Sequence, residues 1–280
     1  MPTKARAKPS LWAVRGSLPA STGRLASGLA VGLLFAAWSV CAYVTKAGPD
    51  GEPVPLVSHF FLPAPHEVLQ ALGKLWFDFD LAGSVGASAK RIGLAFVLSV
   101  IVALPLGIAM GAFEVVNRFF NPLVAPMRYL PITAFIPLLI FWLGIEEEQK
   151  VAFLFLGTVV YLLPAVVDAI RAVPEELVQT AQTLGASRAQ VVRTVLIPAA
   201  LPQIFDSFRT VNAIAWTYII LAELVNSKTG IGFILHEAEQ KAKPAWIFAG
   251  ILVVGVVGLV TDKVIDGVNR LLFGWRESNA

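Results

Sequence analysis

Charge and cysteine are scarce in this sequence. Only 15% of its 280 residues are Asp, Glu, Lys or Arg, whereas a soluble domain carries about 25%. Cys41 is the single cysteine, which excludes an intrachain disulfide and a CxxC zinc motif. His59, His66 and His236 are scattered along the chain, so we predict no metal site.

Sequence signatures of catalysis are also missing. The chain has no glycine-rich phosphate loop, no G-x-S-x-G nucleophile elbow and no HExxH zinc motif. We therefore predict no catalytic residue and no cofactor held by this chain. An intramembrane enzyme is an alternative, but no cluster of buried acids, histidines or serines supports it.

Hydrophobic residues are abundant. They make up 56% of the chain, and the mean hydropathy is +0.72. A helix needs about 20 mainly apolar residues to cross a bilayer, and six segments satisfy this requirement. They lie approximately at residues 25–44, 88–111, 119–144, 151–170, 208–225 and 246–260. A cleaved signal peptide is an alternative for the first segment, but the run is long and the residues after it form a poor cleavage site.

These segments predict an all-α, polytopic membrane protein with six transmembrane helices. The transmembrane domain covers residues 25–265, between a basic arm at 1–24 and a tail at 266–280. The arm carries five Lys or Arg residues and no acid, which favours a cytoplasmic N-terminus. Six crossings then place both termini in the cytoplasm of a bacterial cell membrane. The positive charges flank the spans and form no long basic stripe, so membrane lipid is expected around the chain and nucleic acid is not a predicted partner.

A polar segment at residues 174–198 interrupts the apolar sequence on the predicted cytoplasmic side. Pro174-Glu175-Glu176 is typical of a helix start, and Gly185 can end that helix in a left-handed conformation. Ser187 and Gln190 have the spacing of a capping box, and Pro198 is expected to stop the second helix. The segment therefore predicts two short helices joined at Gly185, forming a rigid knob for a soluble partner.

The segment resembles the EAA loop of permease subunits of ATP-binding-cassette (ABC) importers. That loop reads Glu-Ala-Ala, three residues, Gly, nine residues, then Ile-x-Leu-Pro. Here Gln179-Thr180-Ala181 replace Glu-Ala-Ala, while Gly185 and Pro198 keep their spacing. The replacement implies a contact made by shape and hydrogen bonding more than by the usual glutamate. The resemblance assigns ATPase coupling to Glu175, Glu176, Gln179, Thr180, Ala181, Gly185, Ala186, Ser187 and Pro198.

Further segments between residues 60 and 265 resemble the nitrate/sulfonate/taurine class of these permeases. They are residues 61–68, 89–96, 141–144, 222–224 and 230–232, together with Pro131, Pro137 and Ala215-Trp216. The resemblance implies a type I importer fold, a homodimer, two ABC ATPase subunits that bind ATP and Mg²⁺, and a periplasmic or lipid-anchored solute-binding protein. It also implies uptake of a small anionic solute of the nitrate, sulfonate, taurine or bicarbonate type. Alternatives are another type I importer class, for amino acids or methionine, and a channel or scaffold that docks a cytoplasmic regulator.

Five residues are candidates for the translocation pathway: Glu223, Trp216, Pro131, Pro137 and Arg209. An acid inside a span is costly and usually functional, so Glu223 is expected either in the gate or at the membrane interface. Prolines break helices, and the freed carbonyls need protein or water around them. Arg209 either pairs with Asp206 three residues away or contacts the solute.

Two further pairs of charged residues lie near span ends. Asp168 and Arg171 are expected to form an i,i+3 ion pair. Lys90 and Arg91 are expected to extend to the outer membrane interface.

Overall fold

The structure is a computed structural model that describes residues 20–47 and 53–274. Most of the predicted arm at 1–24 and the end of the predicted tail at 266–280 lie outside the described residues. The chain divides into two compact units, residues 1–70 and 71–280.

The first unit contains a long apolar helix and a short β-ribbon. Helix α1 covers Ala20–Tyr43, and strands β1 (Thr45–Ala47) and β2 (Pro53–Pro55) pair in antiparallel fashion, with Lys46 opposite Val54. Helix α2, Pro65–Asp78, begins in this unit. The ribbon and α2 both lie between the first two predicted membrane segments, residues 25–44 and 88–111.

The second unit is helical throughout its described part. Its helices are α3 (Leu81–Ala112), α4 (Glu114–Met127), α5 (Ile136–Leu143), α6 (Glu147–Arg171), α7 (Glu175–Thr183), α8 (Arg188–Val191), α9 (Ile197–Leu224), α10 (Ile231–Gln240) and α11 (Pro244–Leu272). A 3₁₀ turn, Ile132–Phe135, precedes α5, and a π-helical turn, Val192–Leu196, precedes α9. Since α11 continues to Leu272, the helical domain extends past the predicted boundary at residue 265.

Five helices are long and apolar enough to cross a membrane, and a sixth span results if the bent pair α4 and 132–143 is counted as one. The two halves of that pair meet at 93°. Pro131 begins the 3₁₀ turn between them, and a proline has no backbone N–H with which to continue the helical ladder. The predicted third span is therefore bent, and it counts as one span only if its two halves are taken together.

Helices α3, α6 and α9 form the core. Gly107 and Gly111 of α3 lie against α6 so closely that an added Cβ would come within 2.7 Å of Val166 and 2.6 Å of Ile170. Two glycines four residues apart let two helix backbones approach each other in this way. The G-x-x-x-G spacing of Gly107 and Gly111 thus marks a close contact between α3 and α6.

Candidate functional site

Helix α7 begins and ends where the sequence predicts. Pro174 precedes its first residue, Glu175. Gly185 has φ +83°, and its N–H donates to the Gln182 carbonyl at 2.9 Å while the Ala186 N–H donates to the Ala181 carbonyl at 3.0 Å. These two bonds satisfy helix-terminal carbonyls as in a Schellman motif, so the turn at Gly185 has a defined geometry.

The second helix does not end at Pro198, and this prediction is wrong. Ser187 and Gln190 do form the capping box at the start of α8. The chain then passes through the π-helical turn, in which the Ile197 N–H bonds to the Val192 carbonyl five residues back. Pro198 therefore falls in the first turn of α9, where a missing N–H is tolerated. The second half of the polar segment is continuous with the span that ends at Leu224.

The outer side of α7 carries both polar and apolar exposed residues. Leu184 is 82% exposed and Leu177 is 47% exposed, while Val178 and Ala181 pack against the core. The Thr180 hydroxyl donates to the Glu176 carbonyl at 2.7 Å, so its proton is not free for a partner. We call the exposed set Leu177, Gln179, Leu184 and the acids Glu175 and Glu176 the α7 surface.

Arg91 lies inside the protein and not at the membrane interface, contrary to the prediction. It donates from Nε and Nη2 to both carboxylate oxygens of Glu147, at 2.7 and 2.6 Å. Its Nη1 donates to Glu223 at 2.7 Å and to the Thr229 carbonyl at 2.9 Å. One guanidinium thus joins α3 to the first turn of α6, the last turn of α9 and the loop after α9. Lys90, its neighbour, is exposed.

The Glu223 carboxylate is enclosed by hydrogen-bond donors. Besides Arg91, it accepts from the Ser88 hydroxyl at 2.7 Å and from the Gly232 N–H at 2.8 Å. Glu223 is 1% exposed, so it does not reach headgroup water, which removes the interfacial alternative. A place for Glu223 in the gate stays a prediction, and the structure adds a structural role. We call the buried residues Ser88, Arg91 and Glu223 the buried polar cluster; their partners Glu147 and Thr229 are exposed at its edge.

Arg209 is held by two aspartates of α11. Its Nε and Nη2 donate to Asp262 at 2.9 and 2.8 Å, and its Nη1 donates to Asp266 at 2.9 Å. Asp206, the partner expected from spacing, accepts from Asn269 at 2.8 Å. The partners are 53 and 57 residues away in sequence, which explains why local spacing missed them. A contact between Arg209 and solute stays a prediction.

Arg171, from the other predicted ion pair, also has a partner different from the one expected. Arg171 donates to Glu114 of α4 at 2.9 Å, where an ion pair with Asp168 was expected.

The remaining predicted pathway residues are not brought together. Trp216 is 3% exposed and donates from Nε1 to Thr261 at 3.0 Å. Pro131 and Pro137 are exposed at the two sides of the 3₁₀ turn. Sequence reasoning missed Glu147 as a partner of Arg91, although a basic residue inside an apolar span signals that an acidic partner is needed. Within 20–47 and 53–274, no group of three or more His, Cys, Asp or Glu residues could hold a metal.

This arrangement of helices defines a class of membrane transport protein. The structure matches a chain of the inward-facing MetNI methionine ABC transporter with a TM-score of 0.57 and 18% sequence identity, covering 70% of this chain and 98% of that one. At this identity the match shows the fold alone, which is that of a type I ABC importer permease.

Sequence comparison identifies the family. Residues 103–274 match the model of the binding-protein-dependent transport system inner membrane component, and the chain belongs to this family. The taurine transport system permease protein TauC of Escherichia coli (strain K12) is 31% identical over 225 residues, which are 79% of this chain and 82% of TauC. The putative aliphatic sulfonates transport permease protein SsuC of Bacillus subtilis (strain 168) is 30% identical over 271 residues, 94% of this chain and 96% of SsuC.

The chain is therefore a multi-pass permease subunit of an ABC importer. It is a transport subunit and not an enzyme, and it has no cofactor of its own. Members of this family work with ATPase and solute-binding partner proteins.

Proposed function

We propose that this permease imports a small sulfonate-type anion, with taurine and alkanesulfonates as the first compounds to test. The proposal rests on sequence likeness to permeases for these compounds over most of the chain. Nitrate and bicarbonate belong to the same predicted class. Likeness to the methionine transporter is limited to the fold, so methionine and other amino acids are less favoured solutes.

Two copies of the chain pair about a two-fold axis in this proposal, and each seats its α7 surface in one ABC ATPase subunit. The ATPases bind ATP and Mg²⁺, and a solute-binding protein delivers the solute from outside the cell. Both termini of the chain lie in the cytoplasm, on the side of the ATPases. Closure of the ATPases moves the two α7 surfaces, and the permease changes between inward-open and outward-open states.

The observation that carries this mechanism is the continuity of α8, the π-helical turn and α9. Together they cover 37 residues, Arg188–Leu224, which corresponds to roughly 55 Å at 1.5 Å per residue. The capping box fixes one end next to α7, and the buried polar cluster fixes the other. A displacement at the ATPase is thereby carried through the membrane to Glu223 as a rigid-body motion.

Leu184 offers the sharpest test of the α7 surface. Burying a leucine side chain is worth about 1.5–3 kcal/mol relative to leaving it exposed, and a docked ATPase would bury Leu184 at the end of α7. In proteoliposomes containing the permease, its ATPase and its solute-binding protein, we expect Leu184→Ala to lower solute-stimulated ATP hydrolysis and uptake about tenfold or more. Leu271→Ala is the matched control, because Leu271 is 87% exposed near the end of α11. Unchanged coupling in Leu184→Ala would refute the docking assignment.

The solute is tested separately with the same vesicles. Radiolabelled taurine should accumulate only with ATP, and excess alkanesulfonate should compete with it more strongly than methionine does. Strong competition by methionine, or flux without ATP, would contradict the proposal.

A further inference from the structure

A surface groove of about 460 Å³ runs through the second unit, with α2 and the start of α3 on one side and α11 on the other. Its walls include Trp76 and Leu81 on the first side and Leu252 and Val256 on the second. Trp76, Leu252 and Val256 are each more than half exposed. Among the described residues, none that lines the groove is charged. The volume lies within the range of ligand pockets, about 300–1,000 Å³, and the lining favours an apolar ligand over the anionic solute.

Two aromatic rings meet across one end of the groove. Phe79, between α2 and α3, and Trp246, in the first turn of α11, have ring centroids 4.7 Å apart. Phe79 is two residues before Leu81 and Trp246 is six residues before Leu252, so the pair joins the same two walls. Tryptophan is enriched where a membrane meets water, because its ring is apolar at one end and polar at the other. The ring pair therefore marks the end of the groove that lies at the membrane interface.

The groove has the length of one lipid leaflet. Val257, which lines its far end, is eleven residues after Trp246 in α11, a distance of roughly 16 Å at 1.5 Å per residue. The hydrocarbon core of a bilayer is about 30 Å thick, so the groove reaches from the interface to about the midplane. The acyl chain of a membrane lipid covers the same depth, which makes a lipid tail suitable in length as well as in composition.

Two lysines lie at the aromatic end of the groove. The Lys243 Nζ is 4.2 Å from the centroid of the Trp246 ring, and the Lys241 Nζ is 5.5 Å from that of the Phe79 ring. Lys241 is paired with Glu237. Lys243 is exposed and has no ion-pair partner in the part of the chain that the structure describes. Its ammonium group is therefore available to an anion at the membrane interface.

The position of these lysines is unusual for a membrane protein of this orientation. Residues 226–244 carry three lysines, Lys228, Lys241 and Lys243, against two glutamates. They follow α9 directly at its end remote from α7, which is outside the cell in the proposed orientation. Short outer loops normally carry fewer Lys and Arg residues than cytoplasmic loops do. A lysine that binds a lipid phosphate explains part of this excess.

We propose that the groove binds one anionic phospholipid of the outer leaflet, with an acyl chain between α3 and α11 and the phosphate next to Lys243. Anionic headgroups are attracted to lysines at the membrane surface, and the Trp246 ring supports the ammonium group through a cation–π contact. The choice of leaflet rests on the proposed function, which places α7 in the cytoplasm. The groove and its lysine do not depend on the identity of the solute.

A second surface groove supplies a matched control. It has a volume of about 530 Å³ and lies between α3 and α6, but its lining includes the acids Glu147 and Glu148. Val97 lines this groove and is 55% exposed, while Val256 lines the proposed lipid site and is 58% exposed. Tryptophan in place of either valine should fill one groove and leave the buried core in place.

Native mass spectrometry of the complex between permease and ATPase measures the bound lipid. The complex is purified in mild detergent and equilibrated with equal amounts of phosphatidylglycerol and phosphatidylcholine that carry the same acyl chains. We expect one phosphatidylglycerol per permease chain, retained at least fivefold more often than phosphatidylcholine. Val256→Trp should lower this retention at least fivefold, and Val97→Trp should leave it unchanged. Lys243→Gln should remove the preference for phosphatidylglycerol, whereas Lys228→Gln, the same charge change in the same loop, should keep it.

Three results would overturn the proposal. The first is equal retention of phosphatidylglycerol by Val256→Trp and Val97→Trp, and the second is an unchanged lipid preference in Lys243→Gln. The third is a disulfide between two copies that carry Val256→Cys and Cys41→Ser, with no lipid retained, which would assign the groove to the second copy. None of these measurements involves solute uptake, so they are independent of whether the importer carries taurine.

The leaflet has its own test. In cells with the outer membrane removed, Lys243→Cys in a Cys41→Ser background should react with a membrane-impermeant maleimide, and lipid added to the complex should slow the reaction. Reaction only after the inner membrane is opened would place the groove in the inner leaflet. That result would contradict the proposed orientation of the chain and the outer-leaflet assignment together.

Discussion

Arg91 shows how a full charge is kept inside the membrane domain. Each of its five N–H groups has an acceptor at 3.3 Å or less, supplied by Glu147, Glu223 and Thr229. Removing one partner of such a group leaves an uncompensated buried charge, which costs about 3–5 kcal/mol. Each charged group of the buried polar cluster therefore depends on its partners to compensate its charge. The backbone around the cluster leaves room for these side chains.

A substitution of Gly230 tests how closely the backbone packs against the Glu223 carboxylate. It has φ +117°, and an added Cβ would lie 2.4 Å from the Glu223 carboxyl carbon. We expect Gly230→Ala to displace the carboxylate and to cost several kcal/mol, of the order of a broken buried pair. Gly144→Ala is the control: Gly144 has φ +76° with no atom near the added Cβ, so the substitution bears only backbone strain, about 1–3 kcal/mol. Thermal unfolding in detergent measures both, and a smaller loss at Gly230 than at Gly144 would contradict this account.

His59 gives the first unit a pH dependence. Its Nε2 lies 3.0 Å from the Ala42 carbonyl at the end of α1, and its Nδ1 lies 3.0 Å from Glu67 of α2. Both ring nitrogens face acceptors, which only the imidazolium can satisfy. The Ala42 carbonyl, with help from the Glu67 carboxylate, therefore raises the pKa of His59 above its ordinary value, against the opposing effect of burial.

A raised pKa in the folded state means that protonation of His59 stabilises the folded protein. This contribution is complete below the pKa of the unfolded chain, about 6.5, and is lost as the pH rises through the folded pKa. We expect Glu67→Gln to lower the pKa measured by NMR of labelled histidines. His59→Gln should make stability less dependent on pH between about 6 and 8. An unchanged His59 pKa in Glu67→Gln would show that the carboxylate plays no part.

At the scale of the helices, the predictable features were those that depend on local sequence signals. The start of α7, its end at Gly185 and the capping box of α8 each follow from a few neighbouring residues. Apolar length was enough to locate the five membrane-spanning helices and the bent pair that can count as a sixth. The partners of Arg91 and Arg209 were not predictable from local spacing, because Glu223 is 132 residues from Arg91 and Asp262 is 53 residues from Arg209.

The continuation of the helix past Pro198 was missed for a related reason. A proline normally stops a helix, but a π-helical turn before it changes which carbonyls need a donor. No local sequence pattern at residues 192–196 predicts the π-helical turn. The consequence is mechanical, since the second helix of the predicted knob is continuous with the helix that is long enough to cross the membrane.

At Gly185, the effect of backbone conformation can be tested separately from the effect of side-chain packing. An added Cβ there meets no atom within 4 Å, yet φ is +83°. Gly185→Val should therefore bend or unfold the turn, while Gly185→Asn, which tolerates a left-handed conformation, should be close to normal. We expect Gly185→Val to lower ATP-driven uptake far more than it lowers the amount of folded protein in the membrane. Equal uptake by the two variants would mean that the turn does not position α7.

At the scale of the whole molecule, the single chain exposes surfaces whose composition is not explained by contact with membrane lipid alone. Bulky aromatic residues are exposed on both arms of the bent pair, with Phe119 at 71%, Phe141 at 84% and Trp142 at 62%. Gln203, Thr210 and Thr217 of α9 are exposed as well. One chain supplies one side of a transport pathway, and the pathway needs a second side opposite it.

A second copy of the chain can supply that second side through a two-fold axis, because an isologous interface presents the same surface from both copies. We expect a copy with one affinity tag to retain a copy with a different tag when both are expressed with the ATPase and purified in mild detergent. Native mass spectrometry should then show two permease chains and two ATPase chains in one complex. Tagged copies mixed only after solubilisation are the control, since these should not exchange quickly. Recovery of each tag alone, or of one permease chain per complex, would mean that a different subunit provides the opposite side.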